Sequence, residues 1–115
     1  MGKSQRTKGA RFERRIAKFY HEILGDATAK RSGSVQRRID NDGVPDIFTK
    51  YRHHVECGHG GRMNARTKLI QAEEKCEDGK IPVSITQING DREGPILAIR
   101  LKDLIKFLET FQEGR

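Results

Sequence analysis

Apolar residues recur every three or four positions from Phe12 through Ile16, Phe19, Tyr20, Ile23 and Leu24. That is the repeat of one helix face, so the pattern predicts an amphipathic helix from Arg11, closed by Gly25. Glu13, Arg14, Arg15 and Lys18 take the opposite face. Residues 1–10, "MGKSQRTKGA", have no such repeat and read as a basic, flexible N-terminal arm before a single domain spanning 11–115. "DATAKRSGSVQRRIDNDG" also lacks a core pattern. It reads as a surface loop with a short strand near Thr28 to Lys30 and a closing turn at "DNDG".

Beyond the loop the period shortens. Val44 to Phe48 and His53 to Cys57 read as short strands joined by "TKYR", an antiparallel hairpin. A helix follows from an Asn64 N-cap to Cys76, with Leu69, Ala72 and Cys76 on its inner side. "IPVSITQI" and "PILAIR" are strands separated by the turn "NGDREG". A final helix places Leu101, Leu104, Ile105, Leu108 and Phe111 along one stripe. The order α–β–β–α–β–β–α predicts an α/β fold with a mixed central β-sheet flanked by helices.

Composition narrows the partners. The 115 residues carry a formal charge of +7, which favours a polyanion, most commonly nucleic acid. Lys3, Lys8, Arg11, Lys30, Arg31, Arg37 and Arg38 are the cations expected to grip phosphates. Apolar residues make up only 34% of the chain, so a homodimer interface would supplement a modest core. Two cysteines give no disulfide framework and suit a reducing compartment. No apolar run reaches the roughly 20 residues of a membrane span. Neither a signal peptide nor a myristoylation signal is recognisable, so the expected setting is cytoplasmic, the host cytoplasm if phage-encoded.

The chemistry centres on "VPDIFTKYRHHVECGHGG". Strand alternation puts His54, Glu56 and position 58 on one face and His53, Val55 and Cys57 on the other. Asp46 on the partner strand can approach Glu56, since opposed side chains lie about 5 Å apart. With Glu13 from the first helix and the Cys57 carbonyl, these carboxylates would make a hard-oxygen site of the kind Mg²⁺ prefers. The plain alternative is a pair of solvated strand-edge charges. A zinc cluster of His53, Cys57 and His59 is the weaker third reading, because no spaced second ligand pair supports it.

"KGARFER" at Lys8–Arg14, "RSGS" at Arg31–Ser34, "PDI" at Pro45–Ile47, "VEC" at Val55–Cys57 and "IPV" at Ile81–Val83 carry a further signal. In that order and spacing, from about Lys8 to Ile99, the chain resembles archaeal and phage Holliday junction resolvases of the Hjc type, within the PD-(D/E)xK nuclease superfamily. The resemblance implies a restriction-endonuclease-like core and Mg²⁺ (or Mn²⁺) held by Glu13, Asp46 and Glu56. It implies that Arg14, Arg31, Ser32 and Ser34 contact or orient DNA near the scissile phosphate. It also implies a homodimer that nicks two symmetry-related strands of a four-way junction, leaving 5′-phosphate and 3′-hydroxyl ends.

One position departs from that pattern. Gly58 stands where the superfamily has the lysine that positions the attacking water and offsets charge developing on the phosphate. Lys68 on the next helix could supply a relocated amine, His54 or His59 could substitute weakly, or the chain could be an inactive form. The competing functions are a non-catalytic DNA-binding module with a nuclease fold and a nuclease acting on other branched DNA.

Overall fold

The first helix, α1, runs from Gly2 to Glu22. The protein is seen here in a computed structural model that describes residues 2–33 and 43–113, with side chains from residue 9 onward. Residues 2–10, expected as a flexible arm, therefore extend the helix. No proline interrupts them, and adding residues to an existing helix costs less than nucleating one. At the other end Gly25 adopts a left-handed φ of 76°, and the Asp26 amide reaches back to the Tyr20 carbonyl at 3.0 Å. The left-handed glycine with that closing bond is the helix stop read from the sequence.

The chain continues through β1 (Lys30–Arg31), β2 (Ile47–Phe48), β3 (His53–Gly60), α2 (Ala65–Lys75), β4 (Ile81–Ile88) and β5 (Ile96–Ala98). A 3₁₀ turn at Leu101–Asp103 leads into α3 (Leu104–Glu113). The five strands form one mixed sheet in the order β1-β2-β3-β4-β5. The expected hairpin is present: β2 pairs antiparallel with β3, with Ile47 opposite Val55. β3 and β4 run parallel from His53↔Ile81 to Gly60↔Ile88, as a helical crossover requires. The class is α/β, as expected.

Alternation gives the sheet two unlike faces. Val55, Cys57, Val83 and Ile85 join Phe12, Ile16 and Tyr20 of α1 in the apolar core. Beneath α2 the inward residues are polar: His54, Glu56, Ser84 and Thr86 are all buried there. Asn64 caps α2 by accepting the Thr67 amide at 3.0 Å, which fixes where that helix begins.

The stripe on α3 turns outward. Leu101, Leu104, Ile105 and Leu108 are exposed, while Phe107 and Phe111 pack against Tyr51 and His53. The ring stack rewards burial of the two aromatics more than that of the leucines. Among the described residues no helix is long and apolar enough to cross a membrane.

Candidate active site

Asp46 is held by the backbone of the hairpin. Its amide donates to the Val55 carbonyl at 2.9 Å, and its Oδ2 accepts the Cys57 amide at 2.8 Å. The carboxylate is thus clamped where β2 meets β3, beside the residue that follows Glu56. On the other flank, the Ser32 amide donates to the Asp46 carbonyl at 2.9 Å and the Ser32 hydroxyl to the Pro45 carbonyl at 2.5 Å. Ser32 is fully buried in this role. It therefore positions the "PD" segment, with its hydroxyl turned to the Pro45 carbonyl.

Glu13 projects from α1 toward the same edge. Its carboxylate accepts from Arg31 Nε at 3.3 Å, a pair formed across eighteen residues because β1 lies along the helix. Burial raises the Glu13 pKa above its ordinary value, and the Asp46 charge raises it further. Arg31 opposes both. Two carboxylates near enough to repel, beside an arginine, form a partly desolvated hard-oxygen pair.

Glu56 is placed differently. It alternates to the α2 face, is 2% exposed, and is engaged by His54 at 3.1 Å and by the Lys75 ammonium at 3.3 Å. Its charge is balanced within the fold. Among the described residues no group of three or more His, Cys, Asp or Glu side chains converges as a metal site. Glu56 is thus engaged from α2, yet its charge still reaches Glu13 and adds, with that of Asp46, to the rise that burial causes in the Glu13 pKa. Mg²⁺ commonly binds through one or two carboxylates plus waters and phosphate, and the Glu13–Asp46 pair fits that donor set.

The Cys57 thiol does not enlarge the set. Burial pushes its pKa well above the usual thiol range, with Asp46 and Glu13 adding to the rise. The zinc reading fares no better, since His59 stacks on Phe12 with centroids 5.2 Å apart and His53 is engaged by Tyr20 and Thr110.

Gly58 is covered from α2. A β-carbon at that position would overlap Met63 Sδ and lie 2.8 Å from Lys68 Cε. The Lys68 side chain thus crosses the space a residue at 58 would fill, and its charge partly offsets the rise in the Cys57 pKa. The Asn64 cap sets this register, because it places Lys68 in the first turn of α2.

Of the expected DNA contacts, Arg11, Arg14 and Lys30 are exposed and Arg31 is half-buried against Glu13. Lys3 and Lys8 lie on α1 with only their backbone described; Ser34, Arg37 and Arg38 lie outside the described residues. Sequence reasoning missed Lys75 as the partner of Glu56. Counting from the Asn64 cap would have placed it at the far end of α2, but the pairing needs the parallel register of β3 and β4.

Comparison with protein-family models, with curated proteins and with solved structures found no match.

Proposed function

We propose that the chain is a structure-selective endodeoxyribonuclease of the PD-(D/E)xK type, cutting four-way DNA junctions as a homodimer, with Lys68 in place of the lysine absent at position 58. The observation that carries this reading is the Lys68 side chain lying across Gly58, with Lys68, Asp46, Glu13 and Glu56 all near enough to act on the intervening Cys57 thiol. The order of elements supports it as well. A helix, an antiparallel hairpin and a helical crossover to a parallel strand suit a restriction-endonuclease-like core.

Glu13 and Asp46 would hold Mg²⁺ (or Mn²⁺). When bound, the ion supplies charge for the scissile phosphate and acidifies a water molecule. The remaining work belongs to the chain. Arg31, already at the edge beside Glu13, offers its guanidinium to a non-bridging phosphate oxygen. The Lys68 ammonium stabilises charge as it develops on the phosphate. Arg14, Lys30 and Arg31 hold the backbone without reading bases, so selectivity for branched DNA comes from the shape of the dimer. The exposed stripe Leu101, Leu104, Ile105 and Leu108 offers apolar surface to a second copy.

A second reading has its own support. The buried pairing of Glu56 with Lys75 and His54 withdraws the third acid, which favours a protein that binds junctions without cutting them. A nuclease acting on flaps or other branches is a variant of the first reading.

One assay separates the three. The protein is incubated with Mg²⁺ and labelled four-way junction, linear duplex or flap DNA. Symmetric nicking of the junction that Lys68→Ala abolishes supports the proposal. Shifted but intact junction supports the binding module, and preferential flap cutting moves the substrate. Full cutting by Lys68→Ala removes Lys68 from the reaction.

A further inference from the structure

Between α1 and β1 lies an open groove of about 480 Å³ whose walls are cationic. Arg14, Lys18 and His21 form one wall, at spacings of four and three residues, so they share one stripe of the helix. Lys30 and Arg31, on the edge strand, form the other. The small side chain of Ala17 lies between them and lets a bulky ligand approach the helix closely. Among the described residues Arg14 and Lys30 have no carboxylate partner. Lys18 meets Glu22 only at 3.9 Å, with both side chains largely exposed, a contact of little strength.

One end of the groove is chemically marked. Arg31 lines it and also holds Glu13, so the cationic track leads directly to the candidate carboxylate pair. From Arg14 to His21 the helix rises about 10 Å, which matches roughly three successive phosphates of one DNA strand. Of the side chains lining the groove only the exposed His21 is a ring, set among four Arg and Lys cations, so it offers bases little to stack upon. A ligand read this way is a sugar–phosphate backbone whose bases remain paired elsewhere.

We infer that this groove is a sequence-blind track for one strand of a duplex DNA arm, leading that strand toward Glu13, with Lys18 and His21 as phosphate contacts. The inference rests on the nuclease reading only for the choice of DNA. The track can be tested without any cutting.

Binding of the full chain to a labelled duplex and to a four-way junction is measured in EDTA across a salt series. Wild type is compared with Arg14→Ala/Lys18→Ala and with Lys18→Ala/His21→Ala. Lys102→Ala/Lys106→Ala, in the 3₁₀ turn and on α3 and outside the groove lining, serves as the charge control. Each lost phosphate contact lowers the slope of log K against log salt by about 0.9 on duplex DNA. The Arg14/Lys18 double variant should therefore lose about 2 in slope and bind roughly 60-fold more weakly at 0.1 M salt, if electrostatics vanish near 1 M. The control should lose far less.

Groove variants that bind like wild type with an unchanged slope overturn the track, whether or not the protein cuts DNA. So does a control that loses as much as they do, because net charge would then explain the binding. A larger loss on single strands than on duplex would reassign the groove to unpaired DNA and also overturn the inference. A protein that never cuts, yet loses affinity as expected, keeps the track and discards the nuclease. The substituted side chains are on the surface, so unchanged thermal unfolding is the check that each variant is folded.

Discussion

Lys68 Cε lies 2.8 Å from where a β-carbon at Gly58 would sit, so Lys68 shares with Met63 the space that glycine leaves empty. A side chain at 58 and that of Lys68 would compete for this space, and this makes the relocation of the amine testable by exchange. Lys68→Ala should lower the cutting rate by about 10²- to 10³-fold, the usual effect of removing one group that stabilises developing charge. Gly58→Lys in that background should restore much of it once the flexible Met63 side chain shifts aside, because the new amine then enters the space Lys68 vacates. Initial rates of junction nicking decide the matter. Equal inactivity of the single and exchanged variants would detach both positions from the reaction.

Gly58→Ala on its own tests the packing. The atoms it displaces, Met63 Sδ and Lys68 Cε, are far along flexible side chains. The expected cost is therefore at the low end of overpacking, about 1 kcal/mol, and urea unfolding should show it. A loss several times larger would mean that the α2–β3 contact cannot relax.

The Glu56–Lys75 pair separates a structural acid from a catalytic one. Lys75→Met leaves a buried carboxylate without its ammonium and should destabilise by about 3 kcal/mol. Glu56→Gln removes the charge and keeps an acceptor, so it should cost less. The double variant should be more stable than Lys75→Met, which a double-mutant cycle reads directly. Loss of cutting in Glu56→Gln with stability almost unchanged would return Glu56 to the reaction centre.

His53 makes stability depend on pH. The Thr110 hydroxyl donates to the Phe107 carbonyl at 2.6 Å, so its oxygen accepts from His53 Nε2 at 2.7 Å. Nδ1 then accepts the Tyr20 hydroxyl at 2.9 Å, which assigns the ring as neutral with its proton on Nε2. Burial lowers the His53 pKa to about 4. The unfolded chain takes up this proton first as the pH falls. The ring's contribution is therefore present above about 6.5 and is lost on descent to about 4, up to roughly 3 kcal/mol. Urea titrations at a series of pH values should show this decline, and His53→Gln should flatten it.

Asp26 acts lower on the same scale. Burial would raise its pKa, but hydrogen bonds from Thr28, Thr49 and the Lys50 amide outweigh it and hold the carboxyl below its ordinary value. A depressed carboxyl stabilises above the unfolded value near 4, and the contribution disappears as pH falls through the folded value. The bonds join the end of α1 to the β2–β3 connection, so Asp26→Ala should cost about 3 kcal/mol at neutral pH. Asp26→Asn should retain part of this and lose the acid dependence.

The readable features were those set by neighbours in the chain. The 3.6-residue repeat fixed α1, Gly25 its stop and Asn64 the start of α2, because caps and amphipathic stripes are settled within a few residues. Alternation also separated Glu56 from Val55 and Cys57 before any fold was known. Chain order alone, however, could not say which helix would cover which face of β3.

That assignment belonged to the tertiary structure, and it gave each acid its own partner. The parallel register of β3 with β4 brought α2 over Glu56 and delivered Lys75 to it, while the antiparallel edge brought Arg31 to Glu13. It also turned Phe107 and Phe111 inward and left the leucines of α3 outside. Local sequence sets periodicity and termini through short-range sterics and hydrogen bonds. Which charges meet is decided by packing between distant segments, where burial makes an unpaired ion costly enough to select its partner.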